Sequence, residues 1–370
     1  MIKLLTVIGA RPQIIKAAAI SRAVRERFQD KVQERILHTG QHYDANMSQV
    51  FFDELGIPAP DFNLGVGSGS HGAQTAKMIE GIENVLCSEH FDGIILYGDT
   101  NSTLAGAVAA AKLHVPVFHV EAGLRSFNMA MPEEQNRIVC DQLSSILFAP
   151  TQTAVDNLAA EGLTSSKAAF PNGKGRQVVK SGDVMYDNAL YFSAIAGQKS
   201  HILEDCKVSA GNYVLATVHR DFNTDSPERI ANIFRALSDI ADNDDIPVVL
   251  PLHPRTRKYL PAGISEKITV IPPASFFDIL TLEKNARIVM TDSGGVQKEA
   301  FFFCKPCVIL RPETEWIEIT DNQAGILADA DYTGIINTYR DLSGHAVTFP
   351  PLFGDGRAAE KILQNIIDYI

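Results

Sequence analysis

Four short stretches of this 370-residue chain place a proton-carrying side chain directly after a run of apolar residues. Asp99 lies in "YGDTNST" (97–103), Glu121 in "HVEAGLR" (119–125), Glu133 in "PEEQNR" (132–137) and His219 in "TVHR" (217–220). Carboxylates and imidazoles are the usual general acids and bases near neutral pH. Three carboxylates crowded in one cleft would raise the pKa of at least one by like-charge repulsion, which suits a base. Taken singly, each residue has a plainer reading. Asp99 can cap the helix that begins near Ser102, and His219 can be a core histidine satisfied by backbone. "PEEQNR" reads as a helix start, with Pro132 at its first position, acids in its first turn and Glu133–Arg137 as an i,i+4 pair. Only the combination argues for chemistry.

Two further stretches suit anions. In "GARPQIIK" (9–16), Gly9 permits a tight turn and Pro12 suits a first helical turn, so Arg11 falls beside a helix N-terminus and Lys16 follows about a turn later. With a single glycine this is not the dinucleotide fingerprint. In "DSGGVQKE" (292–299), Ser293, Gly294 and Gly295 would offer a hydroxyl and unhindered N–H groups to a diphosphate. Glu299, about one and a half turns on, could accept both hydroxyls of a ribose. The plainer readings are an N-cap at Asp292 or Ser293 and a solvated Glu299. No Gly-Lys-Ser/Thr is present, which argues against a triphosphate P-loop.

These residues need strand ends to hold them. Apolar runs such as "IKLLTVIG", "RILHTG", "GIILYGD", "PVFHVE" and "SSILFAPT" alternate with helical stretches, and predict a parallel sheet in an α/β domain. "FPNGKGRQ" (170–177) reads as a linker. The alternation then restarts with "YVLATVHR", "IPVVLPLHP", "RIVMTD" and "PCVILR". The expected fold class is α/β, with two Rossmann-like doubly wound domains: 1–172, and 173–352. Residues 353–370 form an amphipathic helix that can pack back on the first domain. Ligands of such folds lie at the carboxyl ends of the strands, where every stretch above falls.

Bulk properties narrow the class. Net charge is −11, which argues against nucleic acid and an anionic membrane surface as partners. No apolar run reaches membrane-spanning length, and "MIKLLTVIGA" reads as a first strand rather than a signal peptide, so the expected location is the cytoplasm. The five cysteines are scattered. "CKPC" (304–307) leads into a strand pattern rather than a helix, so it reads as structural rather than redox, and no zinc site is expected.

In series, "GARPQIIKAA", "TGQHYDANMS", "YGDTNSTLAGA", "HVEAGLRS", "PEEQNR", "SGDVMYD", "TVHR", "TDSGGVQKEA" and "LRPETEW" resemble the UDP-N-acetylglucosamine 2-epimerase family of the non-hydrolysing type. Each is weak alone; nine in family order, from residue 1 to about 325, are specific. The resemblance implies a glycosyltransferase-B-like fold with the active site in an interdomain cleft. It implies inversion at C2 of a UDP-linked 2-acetamido sugar by elimination and re-addition of UDP, without metal or redox cofactor; a homodimer is expected. It implies Asp99, Glu121, Glu133 and His219 as the catalytic set. Arg11, Lys16, Arg137, Arg220, Ser293, Gly294, Gly295, Glu299, Arg311 and Glu315 are then expected to hold the UDP-sugar.

The chain departs from the family in places. Classical bacterial members read Gln-His-Arg-Glu where this chain has "QHYDANMS", in the segment of their allosteric site, so activation by a second substrate molecule is expected to be weak or absent. In "HRDFN", Phe222 stands where the family often has a carboxylate. Variants such as "HYDANMS", "GSHG" and "ETEW" resemble a branch that includes epimerases of UDP-2,3-diacetamido-2,3-dideoxy-glucuronate. That substrate carries a C6 carboxylate, for which Arg125, Arg220 and Arg255 are candidate partners. UDP-N-acetylglucosamine is the first expectation and the uronate the alternative. A hydrolysing epimerase, a UDP-sugar glycosyltransferase and a non-catalytic sensor are the rival classes, and the clustered carboxylates argue against the last two.

Overall fold

The structure, a computed structural model, describes residues 1–40, 56–167, 170, 173–252, 254–257, 259–261 and 263–370. The segment "QHYDANMS" lies outside these residues. The chain forms two compact units, residues 1–188 with 351–370, and residues 189–350.

The first unit is built on seven parallel strands: β1 (Ile2–Ile8), β2 (Val32–His38), β3 (Phe62–Asn63), β4 (Gly93–Tyr97), β5 (Val117–Val120), β6 (Ile146–Ala149) and β7 (Gln177–Lys180). Their order is β3-β2-β1-β4-β5-β6-β7. β4, β5 and β6 are buried along their whole length, as apolar strands covered on both faces must be. The covering helices include α1 (Arg11–Ala23), α2 (His71–Ser88), α3 (Asn101–Lys112), α4 (Pro132–Leu143) and α5 (Gln152–Ala160). Strand order reverses between β1 and β4, which is the topological switch point of this sheet.

The chain leaves the first unit inside helix α6 (Val184–Lys199). The second unit holds β8 (Val214–Thr217), β9 (Val248–Pro251), β10 (Ile268–Ile271), β11 (Ile288–Thr291), β12 (Cys307–Ile309) and β13 (Gly325–Leu327), all parallel, in the order β10-β9-β8-β11-β12-β13. Its switch point lies between β8 and β11. Helices α7 (Pro227–Asn243), α8 (Phe276–Asn285), α9 (Gly294–Phe302) and α10 (Tyr332–Gly344) flank the sheet. The core between them is dense in Ile, Leu, Val and Phe from β8, β9 and α7. Cys304 is exposed and Cys307 is buried inside β12, both as free thiols.

Residues 173–188 belong with the first unit, not with the second domain as the linker-like "FPNGKGRQ" suggested. β7 pairs along its length with β6. It is a half-buried edge strand of four residues, too short and too weakly apolar to announce itself beside glycines and lysines. The terminal helix α11 (Ala358–Tyr369) also lies on the first unit, burying Ile362, Leu363 and Ile366. Its first turn is held by Asp187, whose two carboxylate oxygens accept N–H bonds from Ala358 (3.0 Å) and Ala359 (2.8 Å).

Asp187 makes this docking pH-sensitive. Burial pushes its pKa from 3.8 up to about 6, against the opposing pull of those two N–H bonds. A carboxyl raised in the folded state binds its proton more tightly there than in the unfolded chain. The fold therefore carries a penalty from this group that is absent below about pH 4 and complete above about pH 6. Its size is about 3 kcal/mol. Urea unfolding at a series of pH values should show wild type losing stability, relative to Asp187→Asn, as pH rises from 4 to 6.5. Parallel curves for the two proteins across that range would contradict the assignment.

Candidate active site

In the first unit the candidate residues gather at the switch point. Gly9 follows β1 with Thr39 and Ser102 pressed against it: a Cβ at Gly9 would lie 2.1 Å from the Thr39 hydroxyl and 2.2 Å from that of Ser102. Gln13 staples this corner. Its Oε1 accepts the N–H groups of Gly9 (2.9 Å) and Ala10 (3.2 Å), and its Nε2 donates to the Tyr97 carbonyl and the Thr103 hydroxyl, each at 3.0 Å. Arg11, the first residue of α1, is exposed, and Lys16 turns inward to pair with Glu121.

Glu121 follows β5 with φ +71°, a left-handed backbone that a glutamate adopts only at a cost of about 1–3 kcal/mol. Its side chain is 9% exposed. The Phe148 carbonyl, at the neighbouring end of β6, accepts the N–H groups of both Glu121 and Ala122 at 3.1 Å.

Asp99 follows β4 after Gly98, itself at φ +60°. Arg137 donates to Asp99 through Nε (3.0 Å) and Nη2 (2.6 Å), and to Glu134 through Nη1 (2.7 Å). This departs from the sequence reading in three ways. Arg137, expected to meet substrate, is bonded by two carboxylates. Its helical partner is Glu134 at i,i+3, not Glu133 at i,i+4. The sequence reading set the acids against one another; in the structure Asp99 pairs with Arg137 and Glu121 with Lys16. Glu133 itself is exposed at the start of α4.

Glu134 is the buried member of the pair. Burial pushes its carboxyl upward, but the N–H groups of Ser126 and Phe127, the Ser126 hydroxyl and Arg137 hold it below the ordinary range. A residue read as a bare helix-start acid therefore shapes the loop before α4 and fixes the guanidinium that meets Asp99.

In the second unit the same logic is repeated at β8 and β11. His219 follows β8, half exposed, with Nδ1 3.1 Å from the Asp292 carboxylate. Asp292 is fully buried and accepts four more contacts: the N–H of His219 to both oxygens (3.2 and 3.1 Å), that of Arg220 (3.0 Å) and the Asn223 amide (3.1 Å). Burial would raise this carboxyl, but His219 and these donors hold it below the ordinary value. Asp292 is thus no helix cap. It fixes the His219 tautomer and leaves Nε2 to the outside. The sequence signal for it was its place one residue before the Ser-Gly-Gly turn, where capping seemed a sufficient explanation.

Ser293 is the true cap of α9, its Oγ accepting the Val296 N–H at 3.5 Å. A Cβ at Gly294 would lie 2.1 Å from Oε1 of Glu315, which is paired with Arg311 (Nη1–Oε2 3.0 Å). Gly294 is small so that this pair can lie on the helix start. The space over Gly295 is open, with the Ser293 Oγ, at 3.8 Å, its nearest neighbour. Glu299, half-buried on α9, adjoins the fully buried Glu283 of α8. Burial, then the neighbouring Glu299, raise the Glu283 carboxyl well above its ordinary value. Arg220 is exposed beside His219. Beside Arg311, a cavity of about 360 Å³ is lined by Phe222, Arg229, Pro312 and Glu313.

Known proteins resemble this chain along nearly its whole length. A Pseudomonas aeruginosa protein named UDP-2,3-diacetamido-2,3-dideoxy-D-glucuronate 2-epimerase is 47% identical over 366 residues, covering 98% of this chain and 99% of its own. A Methanocaldococcus jannaschii UDP-N-acetylglucosamine 2-epimerase is 38% identical over 371 residues, 98% of each chain. A crystal structure of the latter enzyme in complex with UDP-GlcNAc and UDP superposes with a TM-score of 0.83 over 99% of both chains. Residues 25–367 match the family described as UDP-N-acetylglucosamine 2-epimerase. Switch-point acids, a helix start opened by glycine, two parallel sheets and full-length similarity converge on one conclusion: the chain is a nucleotide-sugar 2-epimerase and belongs to the UDP-N-acetylglucosamine 2-epimerase family.

Proposed function

We propose that the protein is a non-hydrolysing 2-epimerase that interconverts UDP-N-acetylglucosamine and UDP-N-acetylmannosamine. The carrying observation is Glu121: an acid held in left-handed backbone and paired with Lys16, at the end of β5, the neighbour of the strand that Asp99 follows. In this reading the C2 proton leaves to a carboxylate of the set Asp99, Glu121 and Glu133. The C1–O bond to UDP breaks as the C1–C2 double bond forms, giving a 2-acetamidoglucal. UDP then adds back at C1 while a second acid delivers a proton to the opposite face of C2. Exposed Glu133 is suited to trade its proton with water. His219, oriented by Asp292, and the cations Arg11 and Arg220 balance the charge on departing UDP. Ser293, Gly294 and Gly295 offer the start of α9 to the diphosphate, and Glu299 takes the ribose. Lys16 and Arg137 hold Glu121 and Asp99 in place, and Arg311 with Glu315 shapes the diphosphate end.

The second reading, UDP-2,3-diacetamido-2,3-dideoxy-D-glucuronate, is favoured by the 47% identical relative of that name. Of the cations named for its carboxylate, Arg125 has a side chain only 1% exposed and bonded to Asp141 and Glu161, which argues against it. Arg220 remains exposed.

Incubation in D2O with each UDP-sugar, followed by NMR, tests the proposal. Deuterium at C2 with the UDP link intact is expected. Release of free sugar would sink it in favour of hydrolysis, and exchange of the uronate alone would select the second reading. Among the described residues no helix is long and apolar enough to cross a membrane. A cytoplasmic homodimer is part of the same proposal, and light scattering tests the dimer.

A further inference from the structure

His119 lies in β5 with no exposure at all. Its Nδ1 is 2.7 Å from Oδ1 of Asp141, and its Nε2 is 2.8 Å from the carbonyl oxygen of Gly98. Both partners are pure acceptors, and Asp141 is already held by other donors: Arg125 Nη2 at 2.8 Å and the Gly123 N–H at 3.2 Å. A neutral imidazole would turn a bare nitrogen toward one of these oxygens, in the interior, where an unmade hydrogen bond is most costly. The geometry therefore requires protons on both nitrogens. Burial by itself would lower the His119 pKa; the Cys140 sulfur and the Asp141 carboxylate beside it outweigh burial and raise it well above the usual imidazole value. Asp141 and Cys140 face the ring from α4. Arg125 and Glu161 close the far side of Asp141, and Arg176 lies within electrostatic reach.

The two bonds lead to the two acids. Gly98, at φ +60°, immediately precedes Asp99. Gly123, at φ +80°, closes the turn that begins at left-handed Glu121. One imidazolium therefore ties the Asp99 corner directly, and the Glu121 corner through Asp141.

We propose that His119 is a positioning residue for the epimerisation: a permanently charged, doubly donating imidazolium that fixes the backbone corners carrying Asp99 and Glu121. The inference rests on the catalytic roles proposed above for those two residues. Nothing in composition marked His119, which reads from sequence as one more core position of a buried strand.

Two substitutions separate the bonds. The amide of His119→Asn keeps a donor near the Nδ1 position and loses the Gly98 bond; that of His119→Gln keeps one near Nε2 and loses the Asp141 bond. Each is expected to remain folded by circular dichroism and to lower kcat for C2 exchange about 10- to 100-fold. KM for the UDP-sugar, and UDP affinity by calorimetry, should stay within about threefold. In wild type, 15N-histidine NMR should show one imidazolium, protonated at both nitrogens at pH 8 and missing in His119→Gln. Wild-type kcat in either variant overturns the proposal. So does a parallel loss of kcat and UDP affinity, or a neutral ring at pH 8. Absence of exchange in wild type would instead defeat the proposed reaction, and the NMR result would still decide the charge on His119.

Discussion

Asp292→Asn is expected to lower turnover about a thousandfold while leaving the protein folded. Asp292 touches no substrate in the proposed reaction; its effect passes through His219. As a carboxylate it offers only acceptors, so it selects the tautomer with the proton on Nδ1 and stabilises the charged ring when UDP departs. An amide in its place presents a donor to Nδ1 or to the N–H groups of His219 and Arg220, and one of these contacts becomes repulsive. A comparable loss of a carboxylate behind a catalytic histidine costs about four orders of magnitude in serine proteases, which makes a thousandfold the conservative figure. The carboxyl is depressed in the folded state, so its charge stabilises the fold above the unfolded carboxylate pKa, and that contribution fades as pH falls through the folded value. The variant should therefore be less stable than wild type at pH 7, with the gap closing in acid. Turnover within tenfold of wild type would remove Asp292 from the mechanism.

Glu121→Gln is expected to lose about a thousandfold or more of C2 exchange, the upper part of the range for a general acid or base. The substitution keeps shape and backbone and removes only the charge. It also leaves Lys16 buried without its counter-ion, and breaking a buried pair on one side costs about 3–5 kcal/mol. The companion Lys16→Met/Glu121→Gln should recover much of that stability, because with both charges removed no buried ion is left without a partner. It should recover no activity. Thermal melts and exchange rates on the three proteins would decide the matter. A double variant as unstable as the single one would mean that the pair is not coupled in the way its geometry indicates. Near-normal exchange in Glu121→Gln would pass the proton chemistry to Asp99 and Glu133.

The alternation of apolar strands with helices was legible residue by residue. β1, β4, β5, β8, β11 and β12 fall where their apolar runs predicted, because a parallel strand buried on both faces must be apolar throughout. Short or half-exposed strands were not legible. β3 has two residues, β7 has four with none fully buried, and β10 and β13 are little more. Such edges are held by pairing with a neighbour rather than by their own composition.

For the site, the sequence determined which residue types stand at strand ends, since apolar runs and the turns after them are local features. Only the tertiary structure decided what each of those residues meets. It paired Arg137 with Asp99 and Glu134, made Asp292 the support of His219, turned Glu121 left-handed against Lys16, and set His119 between two acceptors. These partners lie three to 105 positions apart. Their effects come from burial and from opposed donors and acceptors, which exist only once separate segments are brought into contact.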